Sequence, residues 1–489
     1  MALKSIPKGI LDFYHSRGSL GTVGGVFFLI FGYGYSVFQE SFWSDDYPLL
    51  VNPNGTFKEI FADARPIYGL LLKFSYWVIG DPQNAWILRL VSLAGLIILY
   101  LIIVRKLDSK NWQIPILVAI GFMLPSFQMF VMWAGCWPHL WTSILSITSY
   151  QYWGRSPLKF KLISLCLMAL AFSIYPPTTF FTFAYLFLLA WYKEYSLSKV
   201  VCEFRKLLIL FIIGCSIGLV GSLISMHIFD VDKNPRVGTV TFQELPQKVI
   251  WIVTRPIVIG FRPFMIDSPS AFSALASSVP FVLLFLLGMY FQSKKLKENY
   301  FKRFIVLSAL LFSSLIPLLI VKDNQFEYRT ISGFSWGVFI ASLIFLQEKK
   351  FPRNIKFNKY LSRFSIFLAL SVGMYSINMN YMQLFRDPYV VKNQFLESGL
   401  LRCKQNPSFK SILILDTLKP YPSRNRLGVY STITDLAHPW VIQPNLVILS
   451  RKLHINLPVF FSQRLHIGSN EQCVISLENF RMLLLQNRG

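Results

Sequence analysis

Acidic side chains are scarce in this sequence, which holds 24 Asp and Glu against 48 Lys and Arg. Histidine and cysteine are scarcer, at six each. They are also scattered, with no HExxH and no Cys/His spacing suited to zinc, so no metal is indicated; a divalent ion stays possible. No Walker A loop or dinucleotide fingerprint opens a helix. A nucleotide-sugar donor would need a soluble cytoplasmic domain, and no stretch could form one. No internal repeat, low-complexity segment or matched pair of broken apolar segments is visible, and the last of these would have suggested a transporter. The first apolar run follows Lys4, Lys8 and Arg17 without a small-residue cleavage site, so it reads as a first span rather than a cleaved signal.

What the sequence has in abundance is apolar residues in blocks. Of its 489 residues 54% are hydrophobic, too many for a soluble chain of this length. Spans are expected at about 20–40, 85–104, 113–133, 137–153, 160–175, 179–192, 207–228, 273–291, 304–321, 330–347 and 364–384, roughly eleven helices of bilayer length. The fifth and sixth are short and meet at Tyr175-Pro176-Pro177; basic residues at both outer ends favour a hairpin over one kinked element. A net charge of +24 could suggest nucleic acid. The Lys and Arg lie mainly between apolar blocks, however, where they set topology, so membrane lipid and not nucleic acid is the expected partner. With the N-terminus in the cytoplasm, the inner loops hold about 24 Lys and Arg and the outer loops between spans about 10, the bias expected of that orientation. An odd number of spans then leaves the tail outside.

The expected fold class is therefore a polytopic α-helical membrane protein, with a membrane domain over 1–384 and a small external α/β domain over 385–489. External loops at 40–84 and 229–272 are too long to be turns. Each carries a short apolar stretch, Ile67–Ile79 and Val249–Phe261, that suits a helix lying on the membrane surface better than a span. In the tail, Val390 to Leu401 recur at helical spacing, Ile412–Leu415 and Pro458–Phe461 read as short strands, and Trp440–Leu453 reads as a helix. Cys403 and Cys473 could bridge in an oxidising exterior; two unpaired buried thiols fit the sequence as well.

The chain turns on Glu40-Ser41-Phe42-Trp43-Ser44-Asp45-Asp46-Tyr47, where the first apolar run meets water. The bland reading is an interfacial anchor. The chemical reading is a carboxylate, Asp45 or Asp46, acting as general base on a hydroxyl, its pKa raised by partial desolvation. Trp43 would share a face with Asp46 if the first helix continued a turn. Further along the same loop comes Asp63-Ala64-Arg65-Pro66, whose guanidinium suits a phosphate but could equally snorkel beside lipid. Glu327-Tyr328-Arg329-Thr330 sets a second arginine at the same membrane face. Arg89 lies inside the second span, where a charge is costly and is usually paired or functional; carboxylates of the first loop are the expected partners. Trp133, Trp137, His139, Trp141 and Tyr175 crowd the external side, as a sugar platform or as an interface belt.

With these residues in place, the chain resembles the polytopic glycosyltransferases of the GT-C type, and more narrowly the serotype-converting O-antigen glucosyltransferases of bacteria and their phages. The resemblance is carried by Trp43-Ser44-Asp45-Asp46 after the first span, Ala64-Arg65-Pro66, Ser173-Ile174-Tyr175 at a hairpin, and Tyr328-Arg329-Thr330 before a late span. It covers most of the spans and only loosely the tail; Pro176-Pro177 departs from the polar residue expected after the tyrosine. The resemblance implies a bacterial inner-membrane enzyme with its active site and tail in the periplasm. Its donor would be a sugar, glucose by analogy, on undecaprenyl phosphate, and its acceptor an O-antigen or other lipid-linked glycan. A flippase and a donor-synthesising enzyme would be partners. Asp46 or Asp45 would be the base, while Arg65, Arg329, Asp63, Arg89, Trp43, Tyr328 and Tyr175 would hold the lipid phosphate or the sugar. A transporter or flippase of lipid-linked glycans, or a structural subunit of envelope assembly, is the alternative.

Overall fold

The computed structural model describes residues 17–39, 46–232, 234, 238–262, 271–322, 324, 328–347, 355–382, 387–415, 439–455, 457–462 and 472–476. Within them, six helices are long and apolar enough to cross a membrane, or seven if one bent pair counts as a single span. The chain is a polytopic helical membrane protein. Its outer surface says the same: α1 (Arg17–Phe38) exposes Leu20, Val23, Phe27 and Phe31. The 32-residue helix 197–228 likewise exposes Ile212, Ile217, Val220, Ile224 and Ile228. Rows of exposed large aliphatics would be a liability in water and are ordinary against lipid.

α1 ends at Phe38, so it does not continue to Asp46. A new short helix, α2 (Asp46–Val51), starts there, followed by α3 (Pro53–Ala62) and α4 (Pro66–Ile79). Trp43 and Asp45 lie outside the described residues, and with them the shared face expected for Trp43 and Asp46. α4 begins with Pro66 at its first position, where the missing N–H costs nothing, and ends at Gly80 in the left-handed conformation with φ 60°. It turns Tyr68, Leu72 and Tyr76 inward and Leu70, Phe74 and Trp77 outward, the two-faced pattern of a surface-lying helix.

The next span is α5 (Trp86–Leu107). α6 (Gln113–Gly121) and α7 (Pro125–Met132) follow it and are bent by 68° at their junction. Pro125 cannot continue a helix from α6, and the freed carbonyls need donors at membrane depth. Tyr33 donates to the Phe122 carbonyl at 2.7 Å and Gln128 Nε2 to the Met123 carbonyl at 2.7 Å. α8 (Trp137–Trp153) and α9 (Leu158–Ile174) pack together through hydroxyls, Ser149 donating to the Ser164 carbonyl at 2.7 Å. α10 (Phe181–Tyr192) follows a one-turn helix at Pro176–Thr179, where Ser143 donates to the Thr178 carbonyl. Such small-polar seams let helices approach closely in lipid. α8, α9 and α10 have 17, 17 and 12 residues.

Beyond α11 (Leu197–Ile228), the second long loop carries α12 (Leu245–Ile252), which runs into a π-turn at Val253–Ile257 holding Arg255 and Pro256. α13 (Ala271–Leu296), α14 (Tyr300–Phe312), α15 (Ser332–Gln347) and α16 (Ile355–Asn380) complete the bundle. α15 is buried along its whole length, from Ser332 to Phe345.

The tail holds α17 (Asp387–Gln405), β1 (Ser411–Leu415), α18 (Pro439–Lys452), β2 (Val459–Ser462) and β3 (Gln472–Ser476). The strands form a parallel sheet in the order β2-β1-β3, with Ile412 opposite Val459 on one side and Cys473 on the other. Leu396, Leu400, Ile412, Ile442, Leu446 and Ile475 form its core. Cys403 and Cys473 form a disulfide that ties α17 to β3, their Cα atoms 5.5 Å apart. α18 also packs against α2, and Tyr389 of α17 joins the apolar cluster around Tyr47 and Tyr76. The tail thus covers the segment that begins at Asp46.

Candidate active site

Asp46 is 1% exposed. Its Oδ1 accepts from three donors that arrive from two distant parts of the chain: the Tyr76 hydroxyl of α4, Trp133 Nε1 at 3.1 Å, and the Gly135 N–H at 3.0 Å. Gly135 lies in a short 3-10 turn, Ala134–Cys136, between α7 and α8. Its carbonyl accepts from the Tyr68 hydroxyl at 3.0 Å, so the residue is held through both of its backbone polar groups, with its N–H aimed at the carboxylate. A Cβ at position 135 would lie 3.2 Å from Asp46 Oδ1 and 3.3 Å from Trp133 Nε1. Glycine is what lets the backbone come this close. Burial first, and the Asp46 carboxylate second, push the pKa of Tyr76 well above the ordinary tyrosine value. Tyr76 therefore keeps its proton and serves as a donor.

The two arginines come to the same place. The Arg65 guanidinium sits 5.2 Å from the Tyr175 ring centre. Arg329 sits 5.8 Å from that ring and 4.7 Å from the Trp133 ring, and its Nη1 points at Cys136 Sγ at 3.5 Å. Trp133 thus touches both Asp46 and Arg329, and Tyr175 touches both arginines. Both arginines are half-buried, their guanidinium groups stacked on aromatic faces in the manner that suits arginine. Arg65 is set by the residue before it: Ala64 adopts φ 58°, a left-handed conformation that costs a non-glycine residue energy and turns the chain sharply from α3 into α4. His139 packs edge-on against Tyr175 at 3.8 Å, and its Nδ1 meets the Cys136 carbonyl at 2.8 Å.

Other expected residues have different company. Asp63 Oδ1 accepts from Asn234 Nδ2 at 2.9 Å, and the Asn234 N–H donates to the Ala62 carbonyl. Asp63 therefore stitches the segment after α1 to the loop after α11. Arg89 donates to the backbone carbonyls of Ser36 at 3.0 Å and Gln39 at 2.6 Å, and it also interacts electrostatically with the Asp46 carboxylate of the first loop, the kind of partner expected for it. The Ser36 carbonyl lies in the last turn of α1 and the Gln39 carbonyl just past its end, where intrahelical donors run out. A cation at a helix C-terminus also complements the helix dipole. Tyr328 opens the one-turn helix Tyr328–Ile331 that leads into α15. Among the described residues, no group of three His, Cys, Asp or Glu could hold a metal ion.

Sequence reasoning placed Trp133 in a sugar platform or an interface belt and passed over Tyr68, Tyr76 and Gly135. The usable signal was the compact aromatic turn Trp133-Ala134-Gly135-Cys136-Trp137, where the only residue without a side chain lies between bulky ones. Comparison with family models, curated proteins and solved structures finds no match for this chain.

Proposed function

We propose that the chain is a glycosyltransferase. It moves a sugar, by family resemblance glucose, from undecaprenyl phosphate to an O-antigen or related envelope glycan on the periplasmic side of a bacterial inner membrane. One observation supports this reading above others: a buried carboxylate oriented by three donors shares an aromatic wall with two arginines. In the proposed reaction Asp46 takes the proton of an acceptor hydroxyl, its carboxylate oriented by Tyr76, Trp133 and Gly135. The acceptor oxygen attacks the anomeric carbon, the bond from that carbon to the phosphate oxygen breaks, and the configuration inverts. Polyprenyl phosphate leaves with its charge held by Arg65 and Arg329. Phosphate is already a competent leaving group, so charge stabilisation rather than acid catalysis is the main requirement. Tyr175 stacks with both arginines, Arg89 holds the end of the first span, and Trp43, Asp45, Asp63 and Tyr328 are assigned to sugar or lipid-phosphate binding by the family resemblance alone.

This reading includes roughly eleven spans, with α8, α9, α10 and α16 crossing the bilayer as shorter or tilted elements. The tail is then a periplasmic α/β domain, in keeping with a disulfide in an oxidising compartment. A transporter is the second reading, favoured by the bend between α6 and α7, since broken helices often mark ion or substrate sites. Against it, Tyr33 and Gln128 already supply donors to the carbonyls at the bend. Purified protein in liposomes, given undecaprenyl-phosphate-linked glucose and a lipid-linked glycan, should release undecaprenyl phosphate. Movement of the lipid across the bilayer without release would overturn the enzyme in favour of the transporter.

A further inference from the structure

Lys392 of α17 has a side chain with no exposure to solvent. Among the described residues its Nζ has no hydrogen-bond partner. The ammonium rests 3.7 Å from the centre of the Tyr47 ring, beside Asp46. Burial pushes its pKa well below the ordinary lysine value, and the Asp46 carboxylate opposes that shift. A buried ammonium with three unfilled donors is costly, and one aromatic face recovers only part of the cost. Yet the fold delivers it deliberately. Asn393, the next residue, accepts from Asn445 Nδ2 of α18 at 2.9 Å, α18 packs on α2, and the disulfide fixes the far end of α17 to the sheet. The lysine is thus held by the tail, over the residue next to Asp46.

We infer that Lys392 is an anion-binding residue of the active site, supplied by the tail, which takes the phosphate of the lipid-linked substrate. The inference rests on the proposed glycosyltransferase reading for the identity of the anion, and on the orphaned, buried Nζ for the existence of the site. A phosphate oxygen would fill the donors that the protein leaves open and form charge-assisted bonds. Arg65 and Arg329 come from membrane-side loops. Lys392 makes the tail part of the site rather than an appendage.

The test uses the full-length protein in nanodiscs with undecaprenyl phosphate as probe and phosphatidylglycerol as the comparison lipid, binding being read by native mass spectrometry. Lys392→Met should weaken undecaprenyl phosphate binding by about tenfold to a hundredfold, the effect of one charge-assisted bond. Lys392→Arg should stay within about threefold of wild type, since the charge is kept. The same Met variant should unfold at a higher temperature than wild type in the absence of probe, because a desolvated charge is removed. Stability gained as binding is lost is the signature of a functional group, and a structural lysine would not give it. A Met variant that binds undecaprenyl phosphate as tightly as wild type overturns the inference, as does one that unfolds at a lower temperature with unchanged binding. If wild type binds both lipids equally and the variant loses both, Lys392 remains a phosphate-binding residue and the donor reading falls.

Discussion

Replacing Asp46 by Asn separates the chemical role of the carboxylate from its structural one. The amide keeps an oxygen for Tyr76, Trp133 and Gly135. Three charge-assisted bonds become neutral ones, each losing about 1 kcal/mol, or about 3 kcal/mol together. Against that, the cost of holding a carboxylate in a fully desolvated pocket, several kcal/mol in order of magnitude, is relieved. The two nearly cancel, so the variant should fold and insert with a stability within about 2 kcal/mol of wild type. The rate should not be spared: losing the general base should slow transfer by about 10²–10⁴-fold, equivalent to roughly 3–5 kcal/mol of barrier. The assay is transfer of radiolabelled sugar from undecaprenyl phosphate in proteoliposomes at matched protein levels, with thermal unfolding measured in parallel. Asp45→Asn should cost less. Near-normal transfer by Asp46→Asn would refute the assignment and leave Asp46 as an anchor for the turn at Gly135. A large loss in Asp45→Asn alone would hand the base to Asp45.

Four further outcomes are expected. Arg65→Lys keeps the charge but loses the planar group stacked 5.2 Å from Tyr175, so transfer should fall by about tenfold; a wild-type rate would make Arg65 a lipid-snorkelling residue. Gly135→Ala puts a methyl 3.2 Å from Asp46 Oδ1 and should cost about 1–3 kcal/mol of stability together with activity, measured by unfolding and transfer; unchanged values would mean that the turn relaxes freely. Cys473→Ser opens a link between residues 70 apart in sequence and should destabilise the tail by up to about 4 kcal/mol, while non-reducing peptide mapping of wild type should recover the Cys403–Cys473 pair; two free thiols would remove it. Alkaline phosphatase fused after Asn487 should be active if the tail is periplasmic, whereas a cytoplasmic signal would remove the periplasmic site.

Much of the helix content was readable because its cause is local. Apolar runs bounded by basic residues define spans, and proline and glycine at its ends bound the short apolar helix expected at Ile67–Ile79 and found at Pro66–Ile79. The apolar run Ile412–Leu415 is a strand for the same reason, with its neighbours and parallel order supplied by the fold. Breaks inside an apolar run were harder. The run at 113–133 reads as one span, yet Pro125 and the donors Tyr33 and Gln128 make the 68° bend sustainable, and those donors are not adjacent in sequence.

For the site, the sequence nominated Asp46, Arg65, Tyr175 and Arg329 one by one, because charge and aromaticity at a membrane edge are costly enough to stand out in a linear reading. It could not say that they meet. Their meeting depends on Trp133 and Gly135 at a helix junction and on Tyr76 one loop away. It also depends on a left-handed residue at Ala64 that turns Arg65 toward Tyr175. Asp63 and Arg89 were nominated in the same way, and only the fold shows that the first meets Asn234 and the second the open carbonyls at the end of α1. Lys392 was the least legible of all. A lysine in an amphipathic tail helix is ordinarily a solvated charge, and only the docking of that helix over Tyr47 buries it. Hydrophobicity and chain stiffness act over a few residues and are written in the sequence. Which donors and charges share a desolvated pocket is decided by contacts between segments up to hundreds of residues apart, and only the tertiary structure determines those.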